Sequence, residues 1–194
     1  MTSPVFDRSW WINRWSMLAI IVILVAGWFV YRPALSGSFL LDDLPNLGDL
    51  TTVTDQESAL HFVFSGFAGP LGRPIALASF VPQASTMGSN AEPFIRINIF
   101  IHLLNGLLVF ALARTLGRFT LVNQRDLPLL ALGVTAIWLF MPLLASSSLL
   151  IVQRMTTLSA TFVLAGLIAY LIARRRLETG PNTALVFMSL TLIL

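Results

Sequence analysis

Residues 15–31, WSMLAIIVILVAGWFVY, form an apolar run without a single charge, and this run decides the fold class. About 17 residues is the shortest length at which a helix spans the hydrocarbon core of a bilayer. Similar runs recur along a chain of 194 residues that is 56% hydrophobic and only 11% charged, with a mean hydropathy of +0.82. The sequence therefore predicts an all-α polytopic membrane protein and argues against a soluble domain.

The apolar runs predict one transmembrane domain over residues 1–194, with spans at about 15–33, 96–114, 127–144 and 154–173 and a partial span at 183–194. Pro142 and the triplet Ser146-Ser147-Ser148 indicate that a helix ends near Phe140 and a turn follows. Because the last run is too short to cross a bilayer, we expect the chain to be a fragment of a larger protein, inactive by itself. A cleaved signal peptide is the alternative for the first run, since basic residues precede it.

The positions of the charged residues predict the topology of the chain in the membrane. All twelve basic residues are arginine, and most lie at the ends of the predicted spans, which argues against a nucleic-acid partner. Threading the spans alternately places eight arginines on the side of the N-terminus and four on the other. Under the positive-inside rule, the N-terminus is cytoplasmic in a bacterial inner membrane and loop 34–95 is outside, in the periplasm. The absence of cysteine excludes disulfides, thiolate metal sites and cysteine nucleophiles.

The predicted outside loop, residues 34–95, holds most of the acidic residues. Asp42 and Asp43 follow a short apolar segment and precede the turn residues Pro45-Asn46. This position suits a catalytic base, and it also suits ordinary solvated loop acids. Thr54 and Glu57 have the spacing of a capping box, which predicts a short apolar helix on the membrane surface. A second short apolar piece is predicted from Arg73 to Phe80.

Polar side chains also line one face of the second predicted span. Asn98, His102 and Asn105 recur at helical spacing, so they share a face. Such a face should meet protein or a wet cavity, because lipid would leave its hydrogen-bonding groups unpaired. The pattern fits a hydrogen-bonded seam between helices and a substrate-lining surface equally well.

Five sequence blocks, in this order, carry a family resemblance. They are Gly37-Ser38-Phe39-Leu40-Leu41-Asp42-Asp43; Gly72-Arg73-Pro74 with Leu77, Ser79 and Phe80; residues 96–105, RINIFIHLLN; residues 138–142, WLFMP; and residues 152–160, VQRMTTLSA. Together the blocks resemble the N-terminal half of the transmembrane and tetratricopeptide-repeat O-mannosyltransferases and their bacterial relatives. Where that family usually has a histidine before the proline turn and an acid after it, this chain has Phe140-Met141-Pro142 and then Ser146-Ser147-Ser148.

The resemblance implies a GT-C fold and transfer of a sugar from a polyprenyl-phosphate donor to a hydroxyl on a protein or glycan. Such a donor already carries a good leaving group, so the reaction needs a base at the acceptor and a cation at the departing phosphate. We expect Asp42 to be the base and Asp43 to orient the acceptor or hold a divalent metal. Arg154 is expected to bind the lipid phosphate, with an interfacial anchor as its alternative.

The remaining candidate residues are weaker. Arg73 and Arg96 are further phosphate candidates, and Asn98 and His102 are candidate substrate contacts, although a structural role is also open for each. Two other classes of function stay open as well. A transporter of lipid-linked sugars would need polar groups in several spans, and a non-catalytic membrane scaffold would tolerate the loss of Asp42. The sequence does not identify the sugar, the acceptor or a metal requirement.

Overall fold

A computed structural model describes residues 8–40, 42–66, 72–119, 123 and 125–177, with side chains described from Arg14 to Arg174 within these ranges. Within these residues the chain is helical and contains no strand, as the sequence predicted. Short 3-10 turns cover Arg32–Ser36, Gly48–Thr52 and Val81–Thr86. The α-helices are α1 Arg8–Tyr31, α2 Asp43–Leu47, α3 Gln56–Phe64, α4 Pro74–Ala78, α5 Glu92–Gly117, α6 Leu127–Leu139, α7 Pro142–Leu149 and α8 Arg154–Leu177.

Three helical segments among the described residues are long and apolar enough to cross a membrane: Arg14–Ser36, Glu92–Gly117 and Arg154–Arg174. They coincide within a few residues with the spans predicted at about 15–33, 96–114 and 154–173. The predicted partial span at 183–194 lies outside the described residues.

The predicted span at 127–144 corresponds to two helices that are long and apolar enough to cross a membrane only as a pair. Helix α6 ends at Leu139, as Pro142 indicated, and α7 starts at Pro142. The two helices are bent by 62° relative to each other, so the segment is a broken pair and not one helix. Pro142 is the cause, because proline forces the preceding Met141 into an extended conformation, with φ −65° and ψ 119°. The serine triplet lies within α7 and not in the turn.

The described residues form two compact units, which are treated separately below. Unit 1 comprises the described parts of Met1–Gly27, Asn105–Phe140 and Phe162–Leu194. Unit 2 comprises the described parts of Trp28–Leu104 and Met141–Thr161, and it contains the predicted acidic loop.

Unit 1 packs through small residues and a small apolar cluster of Ile20, Phe110, Ala131 and Leu132. A Cβ atom added at Gly106 would lie 3.1 Å from Leu139 Cδ1, and one at Gly117 would lie 2.1 Å from Leu127 Cδ1. These two approaches run in opposite chain directions, so α5 and α6 pack antiparallel. Close approach at glycine is how helices gain dispersion contacts where lipid removes the usual hydrophobic driving force.

Unit 2 gathers the short helices of the loop around a larger core that includes Phe80 and Phe94. Helix α3 buries Phe62 but leaves two other large apolar side chains, Leu60 and Phe64, exposed. The predicted capping box is wrong by one residue. Asp55, not Thr54, is the N-cap, and its carboxylate accepts from Ser58 N at 2.8 Å while Asp55 N donates to Ser58 Oγ at 3.1 Å. An aspartate and a serine fill the same two roles as the expected threonine and glutamate.

Candidate functional site

Asp42 presents an open carboxylate. It precedes α2, where its backbone carbonyl accepts from Asn46 Nδ2 at 2.8 Å and from the backbone N–H of Asn46 at 3.2 Å. Its side chain is exposed and makes no capping hydrogen bond to the helix. The backbone of this residue is therefore held in place while its carboxylate remains free to react.

Asp43 has the opposite environment. Its side chain is 1% exposed, and its two oxygens accept from the backbone N–H groups of Leu40, at 2.9 Å, and Val152, at 2.8 Å. The second bond joins residues 109 positions apart and ties the acidic loop to the connection between α7 and α8. This burial and the two backbone donors fit a structural role for Asp43, whereas the sequence suggested that it orients an acceptor or holds a metal. Among the described residues, no group of three histidine, aspartate or glutamate side chains is placed to hold a metal ion.

Arg154 is also an internal group. Its side chain has no exposed surface. Its Nε donates to Asn98 Oδ1 at 2.7 Å, its Nη1 to Ser79 O at 2.9 Å and to Gln83 Oε1 at 2.8 Å, and its Nη2 to Phe94 O at 2.9 Å. These four acceptors take up most of the donors of the guanidinium.

Aromatic packing closes the remaining face of Arg154. The guanidinium carbon lies 4.0 Å from the centre of the Phe80 ring and 5.9 Å from that of Phe94. This is cation–π geometry in a desolvated place. A buried guanidinium with these partners holds unit 2 together and presents no exposed surface to a lipid phosphate, the ligand expected for it from the sequence.

Asn98 and His102 are also buried and contact other parts of the protein. Asn98 is fully buried, and its Nδ2 donates to Leu150 O at 3.0 Å and Ile151 O at 3.2 Å while its oxygen accepts from Arg154. His102 is 2% exposed and meets the Tyr31 ring edge-on at 5.0 Å between centroids. Asn105 is buried as well. The polar stripe thus faces protein, as expected, and for Asn98 the seam between helices is the observed role.

Arg73 is a candidate cation that stays exposed. Its backbone lies in the left-handed region, with φ 52° and ψ 53°, directly after Gly72 at φ 62°. A non-glycine residue pays strain energy in this conformation, and such strain concentrates at functional sites. Its Nη1 lies 3.8 Å from Met155 Sδ.

A cleft in unit 2 lies between the segments that carry Asp42 and Arg73. Its polar lining includes Asn46, which holds the carbonyl of Asp42, and Met155, which contacts Arg73, also lines it. The full lining is Pro45, Asn46, Asp49, Phe62, Ser65, Gly66, Gly72, Leu77 and Met155. Neither Asp42 nor Arg73 lines the cleft itself, and its volume of about 20 Å³ is that of a single water site.

Arg96 is exposed and forms an ion pair with Glu92 one turn earlier in α5. An exposed pair of this kind contributes little, about 0.3–0.5 kcal/mol, so Arg96 remains available to a ligand. Sequence reasoning gave no role in the site to Ser79, Phe80 and Val152, which it named within blocks of family resemblance, and it did not name Gln83. Backbone carbonyl and N–H groups carry no residue signature, and only a lone arginine in an almost charge-free stretch hinted at the buried network.

Comparisons with known proteins add no assignment to this geometry, since no family model, no curated protein and no solved structure matches the chain.

Proposed function

We propose that the protein is part of a GT-C-type glycosyltransferase, which transfers a sugar from a polyprenyl phosphate to a hydroxyl acceptor. The acidic loop then faces the outside of a bacterial cytoplasmic membrane, with the N-terminus in the cytoplasm and the short helices of the loop at the membrane surface. The observation that carries the proposal is the contrast within one dipeptide. Asp43 is buried and fixes the loop, and this leaves Asp42 exposed on a rigid support.

In the proposed reaction the Asp42 carboxylate takes the proton of the acceptor hydroxyl as its oxygen attacks the anomeric carbon. The bond between that carbon and the phosphate oxygen breaks in the same step, and its electron pair leaves with the polyprenyl phosphate. A single displacement inverts the anomeric centre. Arg73 replaces Arg154 as the cation for the departing phosphate, because its guanidinium is exposed and Arg154 is enclosed.

The test measures transfer from a lipid-linked sugar in membranes that contain the full-length protein. Asp42→Asn keeps the size and polarity of the side chain but removes the base, so the rate should fall by about 10²- to 10⁴-fold at unchanged expression. Arg73→Gln should lower both kcat and the apparent affinity for the donor, because the phosphate is present in the ground and transition states.

Asp126→Asn serves as the matched control, since Asp126 is an exposed acid that precedes α6 and makes no capping hydrogen bond. It should leave transfer unchanged. Normal transfer by Asp42→Asn would remove the base from the mechanism and with it the proposal.

A non-catalytic membrane scaffold is the second candidate. It is favoured by the internal use of Arg154 and Asn98, which requires no ligand. A scaffold predicts that Asp42→Asn behaves like Asp126→Asn in every assay, so the same pair of variants separates the two functions.

A further inference from the structure

An open groove of about 620 Å³ lies in unit 2, away from the acidic dipeptide. It forms where the last turn of α1 continues into the 3-10 turn Arg32–Ser36 and where α5 begins. Its lining is Phe29, Arg32, Pro33, Leu35, Ser36 and Glu92. Neither the base Asp42 nor the cation Arg73 takes part in it.

The charges around the groove are positive on balance. Arg32 is exposed and makes no ion pair with any part of the chain that the structure describes. Glu92 is the acidic residue of the lining, and its carboxylate is already paired with Arg96. Two arginines therefore stand against one glutamate, which leaves the cation of Arg32 available to an anion.

The apolar side of the groove continues the lipid-type surface of α1. Phe29 is 60% exposed, and Val25 and Val30 on the same helix are exposed as well. These residues belong to the segment Arg14–Ser36, which is long and apolar enough to cross a membrane. An apolar surface that ends at an unpaired arginine matches the shape of a lipid, with chains on one side and an anionic head group on the other.

We infer that this groove binds an anionic phospholipid, with the phosphate of the head group at Arg32 and an acyl chain along Phe29. The occupant is a phospholipid of the surrounding bilayer, and the inference does not depend on the proposed glycosyl transfer. The argument rests on charge complementarity and on continuity with the apolar surface of α1. Glu92 opposes the lipid, so its removal should strengthen binding.

The experiment titrates the purified full-length protein in mild detergent with phosphatidylglycerol and, separately, with zwitterionic phosphatidylcholine, and counts bound lipids by native mass spectrometry. The wild type should bind phosphatidylglycerol about fivefold more tightly than the Arg32→Gln variant, as expected for one arginine near a membrane surface. Arg32→Lys keeps the charge and should retain the preference. Glu92→Gln should bind phosphatidylglycerol more tightly than the wild type.

Arg125→Gln is the matched control, because Arg125 is an exposed arginine outside unit 2 and outside the groove. It should bind as the wild type does, and circular dichroism should show equal helix content for all variants. An Arg32→Gln variant that keeps the preference, or an Arg125→Gln variant that loses it to the same extent, would overturn the inference. Binding of undecaprenyl phosphate at Arg32 in place of phosphatidylglycerol would overturn it too, since the occupant would then be a donor-type lipid.

Discussion

The two units hold themselves together by different means. Unit 1 has a small apolar cluster and two glycines, Gly106 and Gly117, that bring α5 and α6 into close approach. Unit 2 has a larger core with a fully buried arginine, Arg154, at its centre. The first relies on dispersion between closely packed backbones, and the second adds the hydrogen bonds of one charged group to its larger apolar core.

The difference follows from helix length. Long helices satisfy almost all their backbone groups internally, whereas each short helix leaves carbonyls without partners at its end. Unit 2 contains several short helices, and Arg154 and Asn98 donate to carbonyls at these ends. Ser79 O lies at the end of α4, and Leu150 O and Ile151 O lie just after α7. In unit 2, backbone carbonyls at helix ends are therefore satisfied by buried side-chain donors. In unit 1, the long helices satisfy most of their carbonyls internally.

The largest expected effect comes from Arg154→Met, which tests whether the buried arginine holds unit 2. Methionine fills much of the volume but leaves the oxygens of Asn98, Gln83, Ser79 and Phe94 without their donor. Each buried acceptor left without its donor costs about 1–3 kcal/mol, and because the substitution also removes a buried charge, we expect a net cost of about 3 kcal/mol. The free energy of unfolding in mild detergent should fall by that amount, and Arg154→Lys should fall between this variant and the wild type.

Arg125→Met is the control for Arg154→Met, since Arg125 is exposed and such substitutions usually stay within about 0.5 kcal/mol. If Arg154→Met is as stable as Arg125→Met but loses donor binding, Arg154 has the phosphate role first expected from the sequence.

A smaller effect is expected from Gly117→Ala, which tests the close approach in unit 1. The added Cβ would lie 2.1 Å from Leu127 Cδ1, so the leucine side chain must move. Overpacking of this kind costs about 1–3 kcal/mol, toward the lower end here because the end of a leucine side chain is flexible. Thermal unfolding in detergent measures it.

Gly133→Ala is the matched comparison in α6, because nothing lies within 4 Å of its added Cβ. It should be neutral or stabilising, since alanine favours helix over glycine by up to about 1 kcal/mol. Equal loss of stability in both variants would mean that α5 and α6 do not pack through Gly117.

The fold could be predicted further than the site. Apolar length depends only on local sequence, so three spans came within a few residues of their observed bounds, and Pro142 marked the end of α6. The candidate site depends on contacts between residues that are far apart in the sequence. Nothing near Asp43 in the sequence indicates that the backbone N–H of Val152 binds its carboxylate, so sequence reasoning treated the two aspartates as a pair when only Asp42 is open.

Arg154 shows the same limit from the other direction. A lone arginine between apolar runs predicts either an interfacial position or a ligand, because burial of a charge is costly unless partners are present. Its acceptors are two backbone carbonyls and two side-chain amides from three other segments, and their convergence is a property of the tertiary structure. Exposed arginines such as Arg73 and Arg32 have no such partners among the residues that the structure describes, and they keep the roles open to a surface cation.

The smallest expected effect concerns the N-cap of α3 in unit 2, whose hydrogen bonds are exposed to solvent. The hydroxyl and backbone N–H of Ser58 hold the pKa of Asp55 below its ordinary value of 3.8. A carboxyl with a lowered pKa stabilises the folded state above its ordinary pKa, and this stabilisation is lost as the pH falls through the lowered value. Amide hydrogen exchange in α3, corrected for intrinsic rates, should therefore be steady from about pH 7 to pH 5 and rise below about pH 4. Asp55→Ala should raise exchange in α3 severalfold at neutral pH and abolish the dependence on pH, while Thr54→Ala should do neither. The reverse result would restore Thr54 as the cap, in agreement with the spacing first seen in the sequence and against the observed bonds to Ser58.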